Sequence, residues 1–247
     1  MKLNLLLSLL ILTGAIAPVI YRFATANATP SDAELMLQQA DNAIAANTDP
    51  QQPNYTCVGC DLRNEDFSNQ DLSRANFFGS DLRGANFNGS LLINAVFRET
   101  QLDQANFREA NLRGADLEAA SLVETNFEDA KLLQGTLEYS TLERANLTNA
   151  ELRDANLCAA NLQDANFHKA SLYGTILRAT NMQNADFTVA YMRYADMYNA
   201  DTDGTDFSGA DMAFVTFPDG STNHEGYVNS INQDVDCNLE DESSSSK

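Results

Sequence analysis

Between residues 75 and 117 the chain returns to one short phrase: Ala75-Asn76-Phe77, Ala85-Asn86-Phe87, Ala105-Asn106-Phe107 and Ala115-Asp116-Leu117. Counted outward in fives, the register holds in both directions. From Leu62 to Phe217 every fifth residue is Leu, Phe or Met, except Thr202. Two positions before each of these centres the side chain is small, with Glu65, Gln70 and Val215 as the exceptions. The residue just before a centre is most often Asn or Asp. A spacing of five advances about 500° around an α-helix, so the apolar residues would build no single face. It also breaks the period of two that a strand requires. A chain that turns a corner every five residues satisfies the pattern. Each centre and its small neighbour then point inward, while the other three residues, rich in Asn, Asp and Gly, supply turn conformations and face water.

The phenylalanines set the number of sides. Every fourth repeat from Phe67 reads Phe67, Phe87, Phe107, Phe127, Leu147, Phe167, Phe187, Phe207. The series that begin at Leu62 and Leu72 hold no Phe, and the series from Phe77 holds Phe77, Phe97 and Phe217. Like therefore stacks on like at a step of 20 residues, which makes a coil of four five-residue sides. The two Phe-bearing series fall on opposite walls. The walls take their names from their first centres: the Leu62, Phe67, Leu72 and Phe77 walls.

This run resembles the pentapeptide-repeat proteins, whose units read Ala-(Asp/Asn)-Leu-x-x. The resemblance implies an all-β solenoid, a right-handed quadrilateral β-helix. With the repeats present, the body is expected to have about eight coils and a length of roughly 38 Å at the spacing of stacked strands. Both raw ends of such a stack need covers. Ser31-Asp32-Ala33-Glu34 is a capping-box pattern that opens an expected α-helix through Ala46, with Ala33, Leu37, Ala40 and Ile44 at helical spacing. That helix is the expected N-terminal cap. At the other end Pro218-Asp219-Gly220 breaks the repeat, and Tyr227 to Ile231 is expected to fold back over the last coil.

Residues 1–28 read as an export signal. Lys2 gives a positive start, Leu5 to Ala17 is almost wholly apolar, and Ala26-Asn27-Ala28 places small residues before a cleavage point at Thr29. The alternative is an uncleaved anchor, since residues 3–20 reach the short end of a bilayer span; only in that case is a membrane contact expected. Either way the solenoid is expected outside the cytoplasm. The expected division is 1–28 signal peptide, 29–56 linker and capping helix, 57–217 β-helix, and 218–247 C-terminal cap followed by an acidic, disordered tail from Asp234.

Acidic residues outnumber basic ones 35 to 15, for a formal net charge of −20. Phosphate backbones and anionic lipid surfaces are bound through basic clusters, so neither nucleic acid nor an anionic membrane is expected as a direct partner. The charge suits a self-repelling soluble rod or a partner with a basic surface. No Gly-rich phosphate loop, nucleophile elbow or His/Cys metal cluster is present. His168 and His224 are the two imidazoles, and His168 falls at an outward position. Carboxylates are plentiful, but each row of them is too mixed to specify a calcium site. Convex walls offer no catalytic pocket. The expectation is a protein that is not an enzyme, with no catalytic residues, no bound metal and no cofactor.

Cys57-Val58-Gly59-Cys60 stands where the repeats begin. A C-x-x-C can be a redox motif or half of a zinc site, and no second ligand pair lies at suitable spacing. A similar Cys-x-x-Cys-Asp-Leu opening occurs in the cyanobacterial members that the chain resembles. Outside the cytoplasm the expected form is a structural disulfide between Cys57 and Cys60 near the N-terminal cap. A reduced or otherwise joined pair is the alternative. Cys158 is expected to point outward from a side wall and Cys237 lies in the tail, with their pairing open.

The outward apolar residues are unevenly shared. The Leu62 wall has Val123 and the Phe67 wall has Val189. The Leu72 wall has Leu91, Ile93, Leu133, Tyr173, Tyr191, Tyr194 and Phe214, and the Phe77 wall has Phe78, Val96, Tyr139, Ile176 and Tyr198. Tyr173, Tyr191, Tyr194, Tyr198 and Phe214 gather towards the C-terminal coils, as a protein contact would. Tyrosines stacking on neighbouring coils are the plainer explanation. The expected function is an exported, non-catalytic interaction or scaffold module; the resemblance points to the thylakoid lumen or periplasm. The alternative, also from the resemblance, is a DNA-mimicking inhibitor of a DNA-binding enzyme such as gyrase.

Overall fold

The computed structural model describes residues 55–223 and Cys237. Within them the chain is a β-helix whose parallel bridges all join a residue to the one twenty positions on, from Thr56 with Asn76 to Asp196 with Thr216. The bridging residue is always the one before a centre. The two residues after each centre form a turn, so one coil has four short sides and four corners.

One repeat shows why the ladder is complete. Around Phe87, the Asn86 amide donates to Glu65 O in the coil before (2.9 Å), while the Phe87 and Gly89 amides donate to Asn106 O and Arg108 O in the coil after (2.7 and 2.9 Å). The Ser90 amide closes the turn on Phe87 O (3.0 Å). The remaining amide, on Asn88, is taken by Oδ1 of Asn86 (3.1 Å). Every N–H of the repeat is thus satisfied, as backbone hidden inside a stack must be. The Asn or Asp before each centre therefore does not supply the turn, as the sequence suggested. It sits on the bridge and accepts the one amide that the ladder leaves over.

The corner has the dihedral signature of a type II turn, with positive φ at its second central residue. Glycine occupies that place at some corners, such as Gly84 (φ 69°) and Gly89 (φ 65°), but Glu, Arg, Tyr and even Val occupy others. A left-handed non-glycine residue costs about 1–2 kcal/mol. The compensation is local, since such a residue before the last coil donates a ladder bond to the next one, as Val189 does to Ser208 O (3.0 Å).

Inside, the centres stack as the sequence implied. Phe67 lies parallel on Phe87 (4.9 Å between centroids), and Phe87 on Phe107 (4.8 Å). Phe77, from the opposite wall, meets Phe67 and Phe87 edge-on at 5.7 and 5.9 Å. The result is a herringbone of rings, the geometry that ring quadrupoles favour. Buried hydroxyls in the small-residue rows find carbonyl acceptors: Thr100 Oγ1 donates to Phe77 O (2.9 Å) and Ser90 Oγ to Phe87 O (2.7 Å).

The stack starts one repeat earlier than Leu62. Cys57 takes a centre position and Tyr55 the small-residue position before it. The Tyr55 ring covers Phe77 (5.2 Å) and Phe67 (6.2 Å). At the C-terminal end the chain turns at Pro218-Asp219-Gly220 and comes back antiparallel, pairing Thr222 with Thr216. The Asn223 amide reaches Val215 O (3.2 Å). Phe207, Met212 and Phe217 of the last coil are partly buried. The signal segment 1–28, the capping helix from Ser31 to Ala46, the Tyr227–Ile231 fold-back and the tail from Asp234, Cys237 apart, lie outside the described residues.

Candidate functional site: an aromatic column on the outer wall

Because coils stack in register, residues twenty apart form columns on the outside as they do inside. On the Leu72 wall this sets Tyr194 on Phe214, and Tyr173, one corner position earlier in the preceding coil, meets the Tyr194 ring. Tyr173 and Tyr194 have centroids 5.2 Å apart, and Tyr194 lies parallel on Phe214 at 4.9 Å. The guanidinium of Arg153 caps the column, 5.9 Å over the Tyr173 ring. Tyr173 is tilted by 58° to Tyr194; all three rings still face solvent, at 44%, 49% and 40% exposure, so contact between coils does not hide them. Tyr191 is on the same wall, one residue before the Met192 centre, and is the most exposed of the set at 58%.

Tyr198 is exposed but not part of this column. It lies on the adjacent Phe77 wall, where the guanidinium of Arg178 sits 5.8 Å over its ring. Of the other outward apolar residues on these two walls, Phe78 and Leu91 are exposed, whereas Ile93, Val96, Leu133, Tyr139 and Ile176 are half-buried between neighbouring coils. The apolar character of the two walls is therefore concentrated at the C-terminal coils.

The four cysteines are joined as Cys57–Cys60 and Cys158–Cys237. The first pair bridges a centre and a small-residue position, so it lies at the end of the core beside Tyr55. The second corrects the expectation for Cys158. Its position is an outward one, yet it is fully buried, because residue 237 returns to the Phe77 wall and bonds to it. The Tyr139 hydroxyl donates to Cys237 O (2.7 Å). The separation of 79 residues between the partners carries no periodic signal by which sequence reasoning would have paired them.

Asx contacts also shape the electrostatics. Asp66 is held below the usual carboxylate range, chiefly by the Ser68 side-chain and backbone donors and also by Asn86. Asp81 is lowered mainly by hydrogen bonding from Arg83. Nδ1 of His168 is engaged with Oγ1 of Thr188 at 2.6 Å. Among the described residues there is no group of three His, Cys, Asp or Glu placed to hold a metal ion.

Comparison with known proteins agrees with the repeat. The family described as "Pentapeptide repeat region" matches residues 58–127. "Pentapeptide repeats (8 copies)" matches 110–149, 140–178 and 177–209. No curated protein matches the chain. Similar solved structures include HetL, a pentapeptide repeat protein involved in heterocyst differentiation regulation from the cyanobacterium Nostoc sp. strain PCC 7120. It is 25% identical, with a TM-score of 0.24, over 74% of this chain and 97% of that one. A trypsin-treated variant of QnrB1, a plasmid-mediated fluoroquinolone resistance protein, is 18% identical with a TM-score of 0.35, over 63% and 88%. A pentapeptide repeat protein from the Arabidopsis thaliana thylakoid lumen is 34% identical with a TM-score of 0.23, over 43% and 68%. With its repeat register unbroken and family matches running from residue 58 to residue 209, this chain belongs to the pentapeptide-repeat family.

Proposed function

We propose that this protein is an exported, non-catalytic interaction or scaffold module of the thylakoid lumen or periplasm, and that it binds a protein partner through the outer wall of its C-terminal coils. The observation that carries the reading is the exposed column Tyr173–Tyr194–Phe214 with Tyr191 beside it. Rings held in place by the ladder lose little side-chain freedom on binding, which is why aromatics on rigid scaffolds make effective anchors. Tyr198, around the corner on the Phe77 wall, extends the surface to a second face. A net charge of −20 favours a partner with a basic surface. Export is supported by the signal pattern of residues 1–28 and by the joining of all four cysteines in pairs, a state that oxidising compartments maintain.

The test is a pull-down from the intact compartment with wild type and Tyr191→Asp/Tyr194→Asp. Loss of the captured partner, with β-type circular dichroism intact, is the expected result; equal capture discards the surface. A second reading, a DNA-mimicking inhibitor of a DNA-binding enzyme such as gyrase, is favoured by the acidic surface alone. Inhibition of gyrase supercoiling by the purified protein, together with a cytoplasmic location on fractionation, would replace the first reading.

A further inference from the structure

Charge is not shared evenly among the four walls. Each side runs from the small residue two before its centre to the turn residue two after it. Counted so over the described residues, the Leu62 wall carries eight acidic residues to three basic, the Phe67 wall seven to two and the Phe77 wall six to two. On the Leu72 wall the balance reverses: Arg74, Arg113, Lys131, Arg153 and Arg193 stand against Asp71, Glu151, Asp154 and Asp211. Among the described residues, the wall that bears the exposed ring column is thus the one without an excess of negative charge.

Ion pairing separates the walls further. On the other three, every described arginine has a carboxylate partner, as Arg98 has in Glu118 (2.8 Å) and Arg178 in Asp196 (2.6 Å). On the Leu72 wall Arg193 meets Asp211 at 3.0 Å. Arg113, Lys131 and Arg153 are exposed and form no ion pair with any described residue, Glu151 and Asp154 included. Arg113 and Arg153 stand in the same column as Tyr173, and the Arg153 guanidinium lies 5.9 Å over its ring. Lys131 stands in the column of Tyr191.

We infer that the segment of the partner that docks on the Leu72 wall is acidic: an extended polypeptide stretch with apolar side chains against Tyr173, Tyr191 and Tyr194 and carboxylates against Arg113, Lys131 and Arg153. The inference rests on the reading of this wall as the partner surface and narrows what it takes. The net charge of the whole rod acts on approach and favours a basic partner at a distance. At physiological salt a charge reaches about 8 Å, so a docked segment responds to the wall beneath it. A guanidinium over or beside a ring keeps N–H donors for a carboxylate, and such pairs form strong, directional hydrogen bonds. From Arg113 to Tyr194 the wall spans four coil steps, about 19 Å, the length of about six extended residues. Nucleic acid is disfavoured, because three unpaired cations neutralise little of a phosphate backbone and the other walls repel it.

The test uses the purified full chain and a labelled peptide of about eight residues, glutamates interrupted by leucines, beside a counterpart with glutamine for each glutamate. Fluorescence anisotropy should show the acidic peptide bound about tenfold more tightly than the neutral one, with the preference fading as salt is raised towards about 1 M. Arg113→Glu/Arg153→Glu should abolish the preference. Arg63→Glu/Arg83→Glu, an equal change of net charge on the Leu62 wall, should leave it within about twofold. Circular dichroism checks that both variants keep the β signature. The inference is overturned if the acidic peptide binds no more tightly than the neutral one, or if both double variants weaken it alike. A short DNA duplex that binds the wall more tightly than the acidic peptide also overturns it. So do wild-type assemblies in light scattering that Arg113→Glu/Arg153→Glu dissolves, since they would give the wall to a second copy. Failure of the wall as an interface is read separately, by equal partner capture with Tyr191→Asp/Tyr194→Asp.

Discussion

Asn106 passes a hydrogen bond from its side-chain amide to Oδ1 of Asn86, one coil away, at 3.2 Å. Its own Oδ1 accepts the Arg108 amide at 3.1 Å, and Asn126 donates to it in turn at 3.4 Å. A column of carboxamides thus runs along the Phe67 wall beside the column of rings. Asn106→Ala leaves the Arg108 amide without its acceptor and breaks the column. A loss of about 1–3 kcal/mol is expected in urea denaturation. Asn106→Asp keeps the acceptor and loses the donation to Asn86, so it should cost less than the alanine variant.

The ring stack is tested at Phe107, which lies between Phe87 and Phe127 at 4.8 and 5.1 Å. Phe107→Ala opens a cavity in a fully buried row and should cost about 3–5 kcal/mol. Phe107→Leu should cost about 1 kcal/mol. Leu147 already occupies the same row two coils on, fully buried, so the stack accommodates that shape. Chemical denaturation midpoints of the two variants check the ordering.

Val189 is a β-branched residue at φ 59° in a corner, the least favourable kind of side chain for that conformation. It is exposed, so little packing offsets the strain. Val189→Asn should stabilise the rod by about 1 kcal/mol, read as a raised thermal midpoint. An unchanged or lowered midpoint would show that the neighbouring coils had already absorbed the strain.

Tyr55 gives an alkaline prediction. Its hydroxyl is buried without a hydrogen-bond partner among the described residues, and burial, with the Glu65 charge adding, raises its pKa to about 12. The folded state therefore holds the phenol proton more tightly than the unfolded chain does. By linkage, stability falls as pH rises from the ordinary tyrosine value near 10 towards 12. Tyr55→Phe should remove that part of the alkaline loss. At neutral pH it should be neutral or stabilising by about 1 kcal/mol, because no bond is lost with the hydroxyl.

The acid limb has the opposite sign. Asp66, Asp81, Asp206 and Asp219 all have pKa values lowered in the folded state. Their contribution is complete above the ordinary aspartate pKa and is lost as pH falls below it through the lowered values. Acid unfolding followed by circular dichroism should therefore begin below the usual carboxylate range. Asp66→Asn should flatten the Asp66 share of that loss, since the amide oxygen still accepts from Ser68 but no longer titrates.

Much of the fold is legible because a solenoid writes its geometry into its period. The Phe67, Phe87, Phe107 row announces the coil length, since each centre must rest on another of its kind. Cys57 belongs to the same series, five residues before Leu62, but a cysteine at a centre reads as a preamble to the repeats. The Asn and Asp residues read as turn formers in the sequence. Their purpose emerges only once each amide has an assigned acceptor and one is left over. Tyr194 and Tyr198 are near in sequence, yet a corner separates their walls, so the cluster resolves into a column of three rings, a neighbouring Tyr191 and a separate Tyr198.

The five-residue side, the four-sided coil and the composition of each wall follow from the order of residues alone, because these features repeat and every repeat restates them. Which outward residues stay outward is settled only in the folded chain. Cys158 and Tyr191 hold outward positions of the same repeat pattern, yet one is fully buried and the other is the most exposed ring of its group. That difference goes with the one bond from Cys158 to Cys237, a residue outside the repeats, and a contact made once leaves no period to read.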